Sequence, residues 1–267
     1  MQPRGVLVTA AGPAMRRVLH DFTLPRFVAY AEHWGLAVEA TDLTVDGNGD
    51  DRASRSARWK KIELLRRALT RYPFAAWLDA DVLIVRQDED VSGHLTVDAF
   101  QALALEQVPS ERRLNPNTGV WLLRSGPTAF AFLDLIDELG PQPGPWADQG
   151  AVLAALGWER GDARYHGARP GIGNRFLVQT TWLPPAWNQP YLDRGGDDES
   201  FNSDAASYPD RPVVSSPFAL HFMGMRPEAR YRHMAALAGR GERGGQGSRR
   251  SAGPLEPAPA SAGLIRG

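Results

Sequence analysis

The sequence predicts an α/β fold, a single domain on a mixed, mainly parallel sheet. Two observations carry that expectation. An apolar strand, Gly5 to Thr9, is followed by a helix and a second strand, the β-loop-α-β unit from which parallel sheets are made. Further on, a second helix leads into Phe74-Ala75-Ala76-Trp77-Leu78, an apolar run that reads as a buried strand and ends abruptly in Asp79-Ala80-Asp81.

The first strand leaves through a small-residue loop, Ala10-Ala11-Gly12-Pro13. A helix is expected over Phe22 to Trp34, stopped by Gly35, and a second strand over Leu36 to Ala40. Asp46 to Ser56 is polar and glycine-bearing and reads as a loop. The next helix runs from Arg58 to Thr70 and ends before Tyr72-Pro73, because the residue preceding a proline is pushed out of the helical region. Further strands are expected at Ala102 to Gln107, Gly119 to Arg124, Val178 to Leu183 and Phe218 to Phe222. Helices are expected at Thr128 to Leu139, Asp148 to Leu156 and Pro227 to Leu237. Asp193 to Asp210 is acidic and turn-rich. From Gly239 onward Gly, Arg, Ser, Pro and Ala dominate, and too few large apolar residues remain to offset the entropy of ordering. The domain is therefore placed at 1–238 and a disordered tail at 239–267.

Composition narrows the partners. With 267 residues, 43% of them hydrophobic, the chain can bury a substantial core. A net charge of -1 gives no bulk attraction to nucleic acid or to an anionic membrane surface, and neither is expected as a partner. The absence of cysteine excludes disulfides, thiolate nucleophiles and cysteine-bound zinc. No apolar run approaches the roughly 20 residues that span a bilayer, and the N-terminus enters a strand without a signal-like pattern. A cytoplasmic location is expected.

The chemistry centres on Asp79 and Asp81. Ligands of open α/β sheets bind beyond the carboxyl ends of the strands, and residues i and i+2 of an extended chain point the same way. Both carboxylates can therefore face one Mg²⁺ or Mn²⁺ ion carrying diphosphate oxygens. A turn or helix-capping pair is the plain alternative. The same tripeptide also opens haloacid-dehalogenase-like phosphotransferases, but on their first strand, whereas here a β-loop-α-β unit and a further helix precede it. On a helical wheel Ile62, Leu64, Leu65, Ala68 and Leu69 define one arc, and Lys61 falls inside it. Such a lysine either snorkels to water or meets an anion, here the donor or the metal-site carboxylates. His221 ends a strand in Phe218-Ala219-Leu220-His221-Phe222, followed by Met223-Gly224-Met225-Arg226. It is either a satisfied core histidine or a third ligand beside two carboxylates. Gly224 would admit a phosphate close to the backbone, and Arg226 could bridge a diphosphate.

Taken in order, these pieces resemble the retaining GT-A glycosyltransferases that include plant xyloglucan xylosyltransferases and fungal galactosyl- and mannosyltransferases. The matching stretches are Leu7-Val8-Thr9 with its small-residue loop, Trp59 with Lys61, Trp77-Leu78-Asp79-Ala80-Asp81, Asn117-Thr118-Gly119 with Val120 to Arg124, Asp148-Gln149, and His221-Phe222-Met223-Gly224. The resemblance implies a Rossmann-like nucleotide-diphospho-sugar transferase domain, a nucleotide sugar as donor, UDP-sugar favoured, and an acceptor that the sequence does not identify. Asp79, Asp81 and His221 would bind the metal, and Asp79 the nucleotide as well. Thr9, Ala10 and Ala11 would border the base, and Asn117, Thr118 and Gly119 would line the sugar pocket. Asp148 and Gln149 would lie by the anomeric carbon, although Asp148 can also be read as a helix cap and Asn-Thr-Gly as a turn. Arg226 stands where the family tends to carry lysine, and Ala147 where a second acid is common. A soluble, bacterial-type member is implied, since the eukaryotic members are membrane-anchored. A glycogenin-like enzyme shares the Asp-X-Asp and the late histidine, but its Lys-Pro-Trp ending is absent, since Arg226-Pro227 is followed by Glu228. A catalytically silent nucleotide-sugar binding protein is the alternative from another class.

Overall fold

The structure is a computed structural model, and it describes residues 2–44, 51–108, 113–142, 147–161, 164–168, 174–191 and 214–245. Six strands make the central sheet: β1 (Val6–Ala11), β2 (Ala37–Asp42), β3 (Phe74–Leu78), β5 (Gln101–Val108), β6 (Arg113–Arg124) and β9 (Thr180–Leu183). Their spatial order is β2-β1-β3-β6-β5-β9. β1 pairs in parallel with β2 and β3, β5 pairs in parallel with β9, and β6 runs antiparallel to both its neighbours. The sheet is therefore mixed and mainly parallel, as expected.

Both faces of this sheet are covered, which is why its strands are apolar throughout. On one face Leu7, Phe74, Ala76, Leu78, Val120 and Leu122 pack against Leu19, Phe27 and Tyr30. These last three come from the helical stretch α1 (Pro13–Val18), a π-helical turn Leu19–Thr23 and α2 (Leu24–Trp34). On the other face Val6, Val8, Trp77, Trp121 and Leu123 meet α3 (Asp51–Leu69), α4 (Pro127–Leu139), α5 (Ala147–Ala155) and α6 (Arg175–Val178). The two-residue period of each strand sorts its side chains between the two layers. Gly35, at φ 67°, lets the chain leave α2 in the left-handed region and enter β2 within two residues.

A second, three-stranded sheet is what positions the site. β4 (Val82–Ile84) pairs antiparallel with β11 (Ala219–His221), which pairs in parallel with β10 (Gln189–Pro190). Asp79-Ala80-Asp81 is thus the point at which the chain leaves one sheet and enters another. A hairpin of β7 (Trp158–Gly161) and β8 (Arg164–Ala168) forms a third, two-stranded sheet whose Trp158 meets Trp182 of β9, and α7 (Pro227–Gly245) packs against α1. No helix among the described residues is long and apolar enough to cross a membrane.

Several expectations need correction. The helix expected from Phe22 begins at Pro13, with the proline in its first turn, where its missing N–H is no loss. α3 begins at Asp51, seven residues before Arg58, so part of the expected Asp46 to Ser56 loop is helix; residues 45–50 lie outside the described residues. Val178 closes α6 and is not in a strand, because Asn174 caps that short helix by accepting from the N–H groups of Phe176 and Leu177. β6 reaches back to Arg113, β4 and the β7–β8 hairpin were not anticipated, and α7 continues past Leu237 to Gly245 through the helix formers Ala238, Arg240, Glu242 and Arg243. Asp193 to Asp210 and residues 246–267 lie outside the described residues.

Phe132 sits at the centre of an aromatic group, with ring centroids 5.0 Å from Phe176, 5.2 Å from Phe100 and 6.3 Å from Trp121. Phe132→Ala should cost about 3–5 kcal/mol in urea unfolding. A cost below about 1 kcal/mol would mean that the four-ring cluster does not anchor α4 to the sheet.

Candidate metal and donor site

Each predicted metal ligand sits at a strand end. Asp79 follows β3, Asp81 precedes β4 and His221 closes β11, and the register His221↔Val82 brings the imidazole beside Asp81. One ligand atom from each of the three lies within 4.8 Å of the others. His221 Nε2 is 3.4 Å from Asp81 Oδ1 and 3.9 Å from Asp79 Oδ2. The other carboxylate oxygens are otherwise engaged. Asp79 Oδ1 accepts from Trp77 Nε1 at 2.6 Å and lies 3.1 Å from Lys61 Nζ, and Asp81 Oδ2 lies 3.3 Å from Arg230 Nη2. Each acid thus spends one oxygen on a protein cation and turns the other toward the imidazole.

The imidazole is fixed from behind. His221 Nδ1 donates to Asn188 Oδ1 at 2.9 Å, and since that amide oxygen is only an acceptor, the neutral ring carries its proton on Nδ1 and its lone pair on Nε2. This tautomer is the one a metal ligand needs. Two carboxylate oxygens and a neutral imidazole nitrogen fit Mn²⁺ well and Mg²⁺ less well, because imidazole suits transition ions.

The backbone between the acids is held at three points. Asp79 N–H donates to Gly119 O, Phe222 N–H donates to Asp81 O, and the buried Thr23 hydroxyl donates to Ala80 O at 3.1 Å. Thr23 belongs to the π-helical turn, whose widened spacing brings its hydroxyl to that carbonyl.

Lys61 takes the carboxylate alternative. It is 5% exposed, with Nζ 2.7 Å from Asp148 Oδ2 and 3.1 Å from Asp79 Oδ1, and it also donates to Thr118 O and Oγ1, each at 3.2 Å. Burial works to lower the pKa of the ammonium, but Asp148 and Asp79 outweigh it and the pKa is raised. Burial likewise works to raise the Asp81 carboxyl, but His221 and Arg230 beside it hold it far below the usual carboxylate range. Asp148 lies in the first turn of α5, and its carboxylate accepts from Thr118 Oγ1 at 3.2 Å as well as facing Lys61.

Asn117, Thr118 and Gly119 form a tight bend inside β6, where the pairing with β5 shifts register between Leu103 and Ala104. Asn117 Oδ1 accepts from Gly119 N–H at 2.8 Å. A Cβ on Gly119 would run into His221 Cε1 and come within 2.7 Å of its Nδ1, so the histidine is packed against bare backbone.

The structure thus brings together Lys61, Asp79, Asp81, Asn117, Thr118, Gly119, Asp148 and His221. Thr9, Ala10 and Ala11 end β1, past its last pairing with β3 at Val8↔Trp77; Thr9 Oγ1 is buried without a hydrogen-bond partner. Gln149 Nε2 is likewise buried and unpartnered, next to Asp148. Gly224, at φ 71°, makes the turn after β11, and Arg226 is exposed just before α7. Thr23, Asn188 and Arg230 were not anticipated. Arg230 shares a face of α7 with buried Met234, four residues on, which turns it toward the core.

Two substitutions test this geometry. Lys61→Met leaves Asp79 and Asp148 facing each other and should destabilise the fold by about 3–5 kcal/mol at pH 7. Because the folded lysine pKa is raised, this contribution is complete below the ordinary value of 10.5 and is lost only as pH rises beyond it through the folded value. Urea titrations of both proteins at pH 7 and above 10.5 check the size and the sign. Gly119→Ala should weaken Mn²⁺ binding by about tenfold or more by displacing the imidazole, and calorimetric titration with Mn²⁺ measures it.

No protein-family model matches the chain, and no curated protein matches it. Solved structures do. A glycosyltransferase involved in glycosylation of the major capsid of PBCV-1 superposes with a TM-score of 0.55 at 14% identity, over 87% of this chain and 99% of that one. The galactosyltransferase LgtC, solved with donor and acceptor sugar analogues, gives 0.49 at 14% identity over 88% and 95%. Mouse xyloside xylosyltransferase 1 gives 0.49 at 13% identity over 82% and 97%. The chain has the GT-A glycosyltransferase fold, with a mixed, mainly parallel sheet.

Proposed function

We propose that the chain is a metal-dependent glycosyltransferase that moves a sugar from a nucleotide-diphosphate sugar, UDP-sugar favoured, to an acceptor, with retention of the anomeric configuration. The observation that carries this reading is the convergence of Asp79 Oδ2, Asp81 Oδ1 and His221 Nε2 beyond the carboxyl end of β3, within a GT-A fold. A divalent ion held there offsets the charge that develops on a departing diphosphate. Thr9, Ala10 and Ala11 border the base, and the unpartnered Thr9 hydroxyl is available to it. Arg226 and the backbone at Gly224 hold the diphosphate. Asn117, Thr118 and Gly119 shape the sugar pocket. Lys61 holds Asp148 in place, and Asp148 with the unpartnered Nε2 of Gln149 faces the anomeric centre, where positive charge grows as the C–O bond breaks. In a front-face transfer the leaving phosphate takes the acceptor's proton, so no separate strong base is required. The cytoplasm, where nucleotide sugars are available, is the compartment this reading favours.

A thermal-shift series with UDP- and GDP-sugars, with and without Mn²⁺, tests the donor. A ligand at a hundredfold excess over its Kd should stabilise the native state by about 2.7 kcal/mol. One nucleotide should raise Tm only with metal, and Asp81→Asn should abolish the shift; no shift with any nucleotide and metal would sink the reading. The anomeric proton of the product, read by NMR, decides retention. Turnover of that donor also separates an enzyme from a silent nucleotide-sugar binding protein.

A further inference from the structure

Arg230 reaches the metal ligands from α7, a helix that contributes nothing else to them among the described contacts. Its side chain is 11% exposed and clamped at several points. Nε donates to Phe222 O at 2.9 Å, Nη1 contacts the Met15 sulfur, and Nη2 lies 3.3 Å from Asp81 Oδ2. Phe222 in turn donates its N–H to Asp81 O, so Asp81 is gripped at both its carboxylate and its carbonyl by one arginine–phenylalanine unit. The guanidinium therefore stays beside Asp81 as a fixed charge. Lys61 plays the matching part at Asp79 Oδ1.

The charge balance follows. Asp79, Asp81 and Asp148 are opposed by the fixed cations Lys61 and Arg230. Three carboxylates stand against two cations that cannot leave the site. A divalent ion entering alone is attracted by the acids but repelled by two buried cations a few ångströms away, where screening by solvent is weak. A nucleoside diphosphate reverses the balance, because its negative charge is favoured by the ion and by both cations.

We propose that Arg230 couples metal to diphosphate: its fixed charge beside Asp81 Oδ2 lowers the affinity for a divalent ion alone, so that metal and nucleoside diphosphate enter as a coupled pair. This rests on the metal site described under the proposed function. A purely structural arginine makes the opposite prediction, since loosening Asp81 would weaken metal binding.

The test reads Mn²⁺ directly, through loss of the free-ion EPR signal, on the full chain with and without UDP. In wild type, UDP should raise Mn²⁺ affinity at least about tenfold, and Mn²⁺ should raise UDP affinity by the same factor, because coupling is reciprocal. Arg230→Gln should bind Mn²⁺ alone about tenfold more tightly and show a smaller UDP effect, while Arg230→Lys, which keeps the charge, should stay near wild type. Unchanged or weaker binding of Mn²⁺ alone in Arg230→Gln overturns the proposal, whether or not its Tm falls. Should Arg230→Gln not fold, Arg230→Lys and wild type still decide, because absence of UDP–Mn²⁺ coupling in both overturns it. If wild type binds Mn²⁺ neither alone nor with UDP, and Asp81→Asn behaves identically, the metal site itself falls and the proposal with it.

Discussion

The ammonium of Lys61, buried between Asp79 and Asp148, is the contact around which the functional end of the molecule is arranged. A charge removed from water must be paired and hydrogen-bonded or neutralised. Here it meets two carboxylates and both oxygens of Thr118. Those partners come from four places: α3 supplies the lysine, the end of β3 supplies Asp79, the bend in β6 supplies Thr118, and the first turn of α5 supplies Asp148. The Trp77 ring covers the ammonium at 5.3 Å while its own N–H holds Asp79. Elements far apart in sequence are thereby fixed to one point, because none can move without stranding a buried charge.

From that point two ion-paired groups face each other across the site: Asp148, Lys61 and Asp79 on one side, Asp81 and Arg230 on the other. They give direction to each carboxylate. The outward oxygens of Asp79 and Asp81 are taken by cations, which leaves the inward ones with the lone pair of His221 as the set of ligand atoms. Asn188 settles the tautomer, and bare Gly119 makes room for the ring. Such preorganisation places the cost of holding like charges together on folding, ahead of any encounter with a ligand.

The change of sheet between β3 and β4 explains why these groups can meet at all. In one continuous strand, Asp79 and Asp81 would sit along a single edge with no third ligand beside them. By ending β3 at Leu78 and beginning β4 at Val82 in another sheet, the chain exposes the intervening turn to β11, which delivers His221 in register. The π-helical turn then ties that loop to the opposite layer through Thr23.

Much of this was legible in the sequence, for local reasons. Phe74 to Leu78 had to be a buried strand because it is apolar on both faces, and the observed bounds agree. The wheel placed Lys61 on the apolar face of its helix, and a lysine there can end only in water or on an anion. Asp79 and Asp81 were marked by their place after that strand, and His221 and Asp148 through a resemblance carried by short motifs in order. What remained hidden is non-local. Nothing in the residues around Asn188, Thr23 or Arg230 shows which group each will meet, because their partners lie 33, 57 and 149 positions away and are chosen by how two sheets and α7 close on one another. Sequence set the kinds of side chain and the faces they occupy. Tertiary packing decided which oxygen of each aspartate turned inward, because only the assembled structure brings the cations that occupy the others.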